Sequence, residues 1–171
     1  MVNLSDDELT RRVSSLLREQ STMTLATADG SMAWAAPVYF VNIGYDFYFF
    51  SEPASRHIRE SAASRQAAAA IFAEDSGWRG IRGVQMSGMV RAVRSGIKAT
   101  RMITAYLKKF SFVRDFFQPR QRVTLEAFSN RFKSRFYCFS AHRIVYLDNQ
   151  LAFGFRQEIS VSDGEGVGRY Q

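Results

Sequence analysis

The residues best suited to chemistry lie together in Tyr48-Phe49-Phe50-Ser51-Glu52-Pro53-Ala54-Ser55-Arg56-His57-Ile58-Arg59-Glu60. An aromatic strand ends at a hydroxyl residue, the chain turns at Pro53, and Ser55-Arg56-His57 arrives where the pattern becomes helical. Hydroxyl donors, the unpaired amides of a helix start and a guanidinium can converge there on one anion, and a phosphate suits that donor set. The same residues also describe a capped surface helix, in which Ser51 or Ser55 caps, Arg56 and Arg59 are solvated and His57 is inert. The strand-to-helix setting favours the anion site.

Little else in the chain competes with it. His142 is the only other histidine, and without an H-x-x-x-H pair or cysteine support it gives no zinc pattern, so no metal is expected. There is no G-x-S-x-G elbow for a serine hydrolase. Cys138 is the single cysteine, which rules out an internal disulfide, and within Phe136-Tyr137-Cys138-Phe139 it reads as a small strand residue rather than a nucleophile. Lys98 and Tyr106 carry protons, but nothing marks either as catalytic, and catalytic side chains stay unassigned. A cofactor that brings its own chemistry accounts for that absence. Phosphate held by Ser51, Ser55 and Arg56 anchors one end of it, and the Trp34-Ala35-Ala36-Pro37 strand offers a low wall for a planar ring, with Pro37 interrupting donation to a neighbour. The bland reading of that stretch is a packed edge strand.

These residues must be positioned by one core. The chain has 171 residues, 46% of them hydrophobic, and three prolines, which predicts one domain over 1–158 with a flexible tail over 159–171. Ser5 caps a first helix, Glu8 completes a capping box, Leu4 staples onto Leu9, and Leu9, Val13, Leu16 and Leu17 form the buried face. Strands follow at Met23–Ala28 and about Ala33–Val41, joined at Asp29-Gly30, and then at Phe47–Ser51; such short turns predict an antiparallel meander. A helix spans about Ser55–Ser64. Ala67–Ala73 is ambiguous between helix and buried strand, with strand favoured. A loop over 74–80 precedes a strand at Val84–Val93, and a helix over Lys98–Phe117 carries the stripe Met102, Tyr106, Phe110, Val113 and Phe117. A short helix at Leu125–Phe132 leads to strands at Phe136–Ser140 and Ile144–Leu147, then a turn and a last strand over Leu151–Arg156. The pattern predicts a mainly β protein with peripheral helices: six or seven largely antiparallel strands in a closed or nearly closed barrel.

With 23 Lys plus Arg against 16 Asp plus Glu, the formal charge is +7, which favours anionic ligands without selecting one. A basic nucleic-acid-binding module built on Lys98–Arg114 is the alternative that this charge allows, although no recognition signature accompanies it. The acidic start Leu4-Ser5-Asp6-Asp7-Glu8 is unlike a leader or a membrane span, and with the unpaired thiol it sets the expectation of a cytoplasmic protein.

In this order the motifs resemble the flavin-binding split-barrel superfamily, the group of pyridoxamine 5'-phosphate oxidase, and more closely its small members. Thr24-Leu25-Ala26-Thr27-Ala28-Asp29-Gly30 is similar to its first barrel strand and Phe47-Tyr48-Phe49-Phe50-Ser51 to its third. Ser51-x-x-x-Ser55-Arg56 is similar to its phosphate element, Arg82-Gly83-Val84-Gln85-Met86-Ser87-Gly88 to a strand lining the cofactor, and Asp148-Asn149 with Phe153-Gly154-Phe155-Arg156 to the terminal hairpin. The resemblance implies a split β-barrel that binds flavin mononucleotide (FMN) in two sites at a homodimer interface. The resemblance then implies that the phosphate meets Ser51, Ser55 and Arg56 and that the ring lies against the backbone of Ala35, Ala36, Pro37 and Val38, with Trp34, Phe50, His57, Arg82 and Gln85 as further residues of the cofactor site. His57 stands where a lysine is common, Ala35 and Phe40 where the oxidase has an arginine and a lysine, and Gly83 where it has a flavin-contacting glutamine. Those departures put pyridoxamine phosphate oxidation in doubt more than flavin binding. They also motivate a third expectation, a structural or regulatory barrel without cofactor.

Overall fold

Ser5 opens the first helix, α1 (Asp6–Glu19), its Oγ accepting the Glu8 amide at 3.4 Å. The capping box is only half formed, because the Glu8 carboxylate turns to Arg11 at 2.5 Å and Arg12 at 2.7 Å instead of the cap amide. A guanidinium is the stronger donor and lies within one turn. The computed structural model describes residues 2–73 and 77–161. Part of the 74–80 loop, residues 74–76, and most of the expected tail, residues 162–171, lie outside the described residues.

Among the described residues eight strands follow: β1 (Thr22–Ala28), β2 (Ala33–Tyr39), β3 (Val41–Ile43), β4 (Asp46–Ser51), β5 (Ala67–Ala73), β6 (Arg82–Ala92), β7 (Arg135–Asp148) and β8 (Arg156–Ile159). Every pairing is antiparallel, in the order β2-β1-β5-β6-β7-β4-β3 with β8 added to β7. β2 also packs against β4, so the sheet curls into a split barrel. Ala67–Ala73 is a strand, with burial alternating along it, because tertiary pairing overrides the helical preference of alanine.

The strand boundaries depart from the expected ones for identifiable reasons. Phe40 breaks the second predicted strand into β2 and β3, its fully buried ring turning the chain inward while its amide donates to Ser21 O. The two runs around residue 141 are one long strand, β7, which absorbs a bulge opposite Ser87 and Gly88. Leu151–Phe155 is a turn, and the last strand begins only at Arg156, running one residue past the predicted domain end so that Ile159 reaches the core.

Two apolar clusters hold this arrangement. Inside the curl, Leu9, Val13, Leu16 and Leu17 of α1 pack on Leu25, Phe47, Phe49, Ile71 and Phe139. Outside it, α3 (Ile97–Lys109) and α4 (Leu125–Phe132) cover β3, β4 and part of β7 through Met102, Tyr106, Phe110, Phe128 and Phe136. The predicted long helix over Lys98–Phe117 stops at Lys109, and residues 111–116 form a 3₁₀ turn. Phe110, Phe112 and Val113 are weak helix formers, and Phe110 gains edge contact with Tyr39 at 5.2 Å and close contact with Tyr106 at 4.8 Å by leaving the helix. The stripe is nevertheless buried at Met102, Tyr106, Phe110 and Val113. No helix among the described residues is long and apolar enough to cross a membrane.

Among the described residues no helix covers the outer face of β2, β1, β5 and β6 in this way. Ala35, Pro37, Thr24, Ala70, Phe72 and Gln85 point outward from it, exposed or half-buried.

Candidate functional site

β4 delivers Ser51 at its last position, and α2 (Arg56–Ser64) begins five residues later with Ser55 as its cap. The Ser55 side chain does not cap the helix; its Oγ donates to Glu52 O at 2.8 Å and lies 3.2 Å from Ser51 Oγ. His57 Nε2 stands 2.8 Å from Ser51 Oγ and 3.3 Å from Ser55 Oγ. Ser51, Ser55 and His57 therefore meet at one point beside a helix start. The first amides of α2 have no partners within the helix, and no acidic residue stands in its first turn. By contrast, Asp6, Asp7 and Glu8 crowd the first turn of α1. An uncapped helix start left without carboxylates is the electrostatic condition for binding an anion.

His57 is half-buried, and burial holds its pKa below the ordinary value, with Glu60 acting weakly in the opposite direction. A neutral imidazole has one N–H. Placed on Nε2, it donates to Ser51 Oγ and leaves the serine proton for a ligand; placed on Nδ1, it consumes that proton.

Arg56 takes a different direction from these hydroxyls. Its Nε donates to Glu60 Oε1 at 2.5 Å, its Nη2 lies 3.9 Å from Asp29 Oδ2, and its guanidinium carbon sits 4.8 Å from the centre of the Trp34 ring. Glu60 is buried and also accepts from Thr27 Oγ1 at 2.6 Å. Hydrogen bonds from Arg56 and then Thr27 hold its carboxyl below the usual range. Arg56 Nη2 is buried and has no hydrogen-bond partner. A guanidinium N–H withdrawn from water without an acceptor is uncommon and expensive, and it fits a phosphate oxygen. Asp29, Arg56, Arg59 and Glu60 line a cleft of about 610 Å³ at the β1–β2 turn, so exposed Arg59 shares the surroundings of Arg56.

The remaining predicted residues divide into three groups. Trp34 joins Arg56 directly. Ala35 and Pro37 face outward from β2 while Ala36 and Val38 face the core, and β2 pairs with β1 along one side only, its other side having no strand partner among the described residues. Phe50 is turned away: its ring packs on Phe128 at 5.0 Å and Phe132 at 5.6 Å in the outer cluster, so it has only its main chain to offer.

Arg82 and Gln85 are not brought to the cluster within one chain. The register runs Pro37, Thr24, Ala70, Gln85 across β2, β1, β5 and β6, about 14 Å along the sheet at ~4.8 Å per strand. Arg82 instead pairs with Glu19 at 2.8 Å. Gly83 has no room for the oxidase's glutamine, since a β-carbon there would stand 2.6 Å from Ile71 O.

Sequence reasoning missed Thr27, Asp29 and Glu60. The Arg56/Glu60 spacing is a visible helical pair, but an arginine preceding its carboxylate is the weaker orientation and reads as solvated surface. Its burial depends on Thr27 arriving from β1, which no local pattern announces. Cys138 is a poor nucleophile, burial pushing its thiol up to about 12. Among the described residues no group of His, Cys, Asp or Glu converges as a metal site.

Solved structures share this architecture at low identity, which establishes the fold. A haem-binding protein from Mycobacterium smegmatis is 16% identical with a TM-score of 0.66, the match covering 94% of this chain and 60% of that one. ChuZ from Campylobacter jejuni is 10% identical with a TM-score of 0.70, covering 94% and 62%. An FAD-binding protein from Mesorhizobium loti is 18% identical with a TM-score of 0.59, covering 82% and 92%. This chain thus spans about six tenths of the mycobacterial and Campylobacter proteins. Among curated proteins no sequence match is found. The family model of pyridoxamine 5'-phosphate oxidase matches residues 9–134, most of the barrel and the whole phosphate element, and the chain belongs to that family.

Proposed function

We propose that this protein binds FMN and works as a small flavin-dependent oxidoreductase, in a homodimer whose two pockets each draw on both chains. The observation that carries the reading is the start of α2, with no side-chain cap and no acidic residue in its first turn, beside Ser51, Ser55 and His57, with Arg56 Nη2 buried without a hydrogen bond on the same turn. Bound flavin supplies the electron-transfer chemistry, and the protein supplies binding and orientation. In this reading Ser51, Ser55 and the leading α2 amides donate to the phosphate, and His57 in its Nε2–H form orients Ser51. The free edge of β2 from Ala35 to Val38 presents main-chain groups to the ring, with the Pro37 nitrogen unable to donate. Gln85 and Arg82 reach a ring only from a second copy, because in one chain they lie across the sheet. A cytoplasmic setting, suited to an unpaired thiol, belongs to the same reading.

The deciding experiment is the absorption spectrum of the purified protein, followed by mass identification of the released ligand. FMN gives bands near ~375 and ~450 nm that survive desalting. Relatives that bind haem or FAD make two other outcomes concrete: a Soret band or an FAD mass replaces FMN while keeping the site. Protein that stays colourless after incubation with excess FMN overturns the reading and leaves a cofactor-free barrel.

A further inference from the structure

Arg56 does not hang free beside the anion site. Its Nε is bound to Glu60 at 2.5 Å, its plane lies over Trp34 at 4.8 Å, and Glu60 is itself fixed by the Thr27 hydroxyl at 2.6 Å. Glu60 and Thr27 are both buried, on different elements, so the pair ties α2 to β1. A carboxylate on Nε uses the inner edge of the guanidinium fork and leaves the two terminal nitrogens, of which Nη2 is buried without a hydrogen bond and has only the Asp29 carboxylate near it, at 3.9 Å. A surface arginine needs no such support. A ligand-binding arginine does, because a long side chain must otherwise be ordered when the ligand arrives.

We propose that Glu60, oriented by Thr27, is the positioning residue that presents Arg56 to the phosphate of the bound cofactor. This rests on the FMN reading above. The alternative is that the Thr27–Glu60–Arg56 chain only braces α2 against β1, in which case it contributes to stability and not to affinity.

The test measures FMN dissociation constants by quenching of flavin fluorescence, together with thermal midpoints, for wild type, Arg56→Ala, Glu60→Leu, Glu60→Gln and Thr27→Val. Glu60→Leu removes both acceptors at similar volume and is expected to weaken FMN roughly tenfold or more, as is Arg56→Ala, since a hydrogen bond to a charged group is at stake. Glu60→Gln keeps one acceptor for Arg56 Nε and should fall between Glu60→Leu and wild type. In the Arg56→Ala background neither Glu60→Leu nor Thr27→Val should weaken FMN further, because a residue acting through Arg56 has nothing left to position. Thr27→Val, which suits a strand, carries the comparison if Glu60→Leu does not fold. Glu60 and Thr27 variants that lower the thermal midpoint but keep wild-type affinity overturn the positioning role while the site stands. Losses that add to that of Arg56→Ala overturn it too. An unchanged affinity in Arg56→Ala, or wild-type protein that binds no FMN, overturns the site and the positioning role together.

Discussion

At the residue scale the anion site divides into two half-sites with different states of readiness. Ser51, Ser55 and His57 already touch one another, so a phosphate must exchange their mutual hydrogen bonds for its own, whereas Arg56 Nη2 has no hydrogen bond to lose, only its longer approach to the Asp29 carboxylate at 3.9 Å. The arginine is therefore expected to contribute most. Arg56→Ala should weaken FMN by about 1.5 to 3 kcal/mol, the range for a hydrogen bond to a charged group, with the barrel folded. Arg59→Ala, one helical step away and exposed, should change affinity far less; titration of both variants with FMN checks the difference. The serines, Arg56 and His57 were legible because they lie in one local stretch. Glu60 and Thr27 were not, because their roles depend on a pairing between distant parts of the chain. Gly83 gives a second residue-scale expectation. Restoring the oxidase-like glutamine drives a β-carbon toward Ile71 O across the β5–β6 ladder, so Gly83→Gln should lower stability by about 1 to 3 kcal/mol, read as a fall in denaturation midpoint, without improving flavin affinity.

At the scale of elements, the helices show where charge patterns mislead. Lys109 reads as part of a basic solvent face on α3, yet its Nζ donates to Leu17 O at 3.2 Å and lies 4.0 Å from the centre of the Phe40 ring. It ties α3 to the end of α1 across the point where β2 gives way to β3. The main-chain carbonyl and the ring both favour the cation, but burial outweighs them and pulls the pKa down to about 8. The folded state thus holds its proton less tightly than the unfolded chain, whose value is near 10.5. Stability contributed through this group must rise with pH across that window: the penalty for burying the cation is full below pH 8 and fades as the unfolded chain also loses its proton. Lys109→Met should therefore be more favourable relative to wild type at pH 7 than at pH 10, and thermal midpoints of the two proteins at both pH values check it. A difference independent of pH would mean that the ammonium is as well solvated as in the unfolded chain. Strand existence was readable from alternation, and the antiparallel pairs β1–β2 and β3–β4 from their short turns, but a continuous meander does not form, because β2 and β3 take opposite ends of the sheet. The break at Phe40 and the helix end at Lys109 were not readable, because both are decided by aromatic packing between elements.

At the scale of the whole molecule, the positive charge and the bare sheet face have to be explained together. Of the 23 basic residues, Arg11, Arg12, Arg56, Arg82 and Arg143 pair with carboxylates of the same chain and Lys109 is held against α1. Within Lys98–Arg114 only Lys109 is so engaged among the described residues, and with no recognition signature beside that charge any binding to nucleic acid is expected to vanish at modest salt. The outer face of β2, β1, β5 and β6 is different in kind. It is lined by small and apolar side chains, it carries Gln85 across the sheet from the free edge of β2, and neither α3 nor α4 covers it. In the proposed dimer a two-fold pairing of such faces would let each chain supply what the other lacks, the phosphate end from one and the β6 strand from its partner, and would generate two equivalent pockets. Ala70 lies at the middle of that face, between Thr24 and Gln85, and its outward position can take a long side chain without entering the core. Ala70→Arg is expected to leave the thermal midpoint of the barrel near that of a monomer, shift sedimentation from dimer to monomer, and abolish retention of FMN although every phosphate ligand is intact. A wild-type holoprotein with one flavin per chain that dissociates on dilution with its cofactor completes the picture. An Ala70→Arg monomer that binds FMN as tightly as wild type would place the whole pocket within a single chain and discard the shared site.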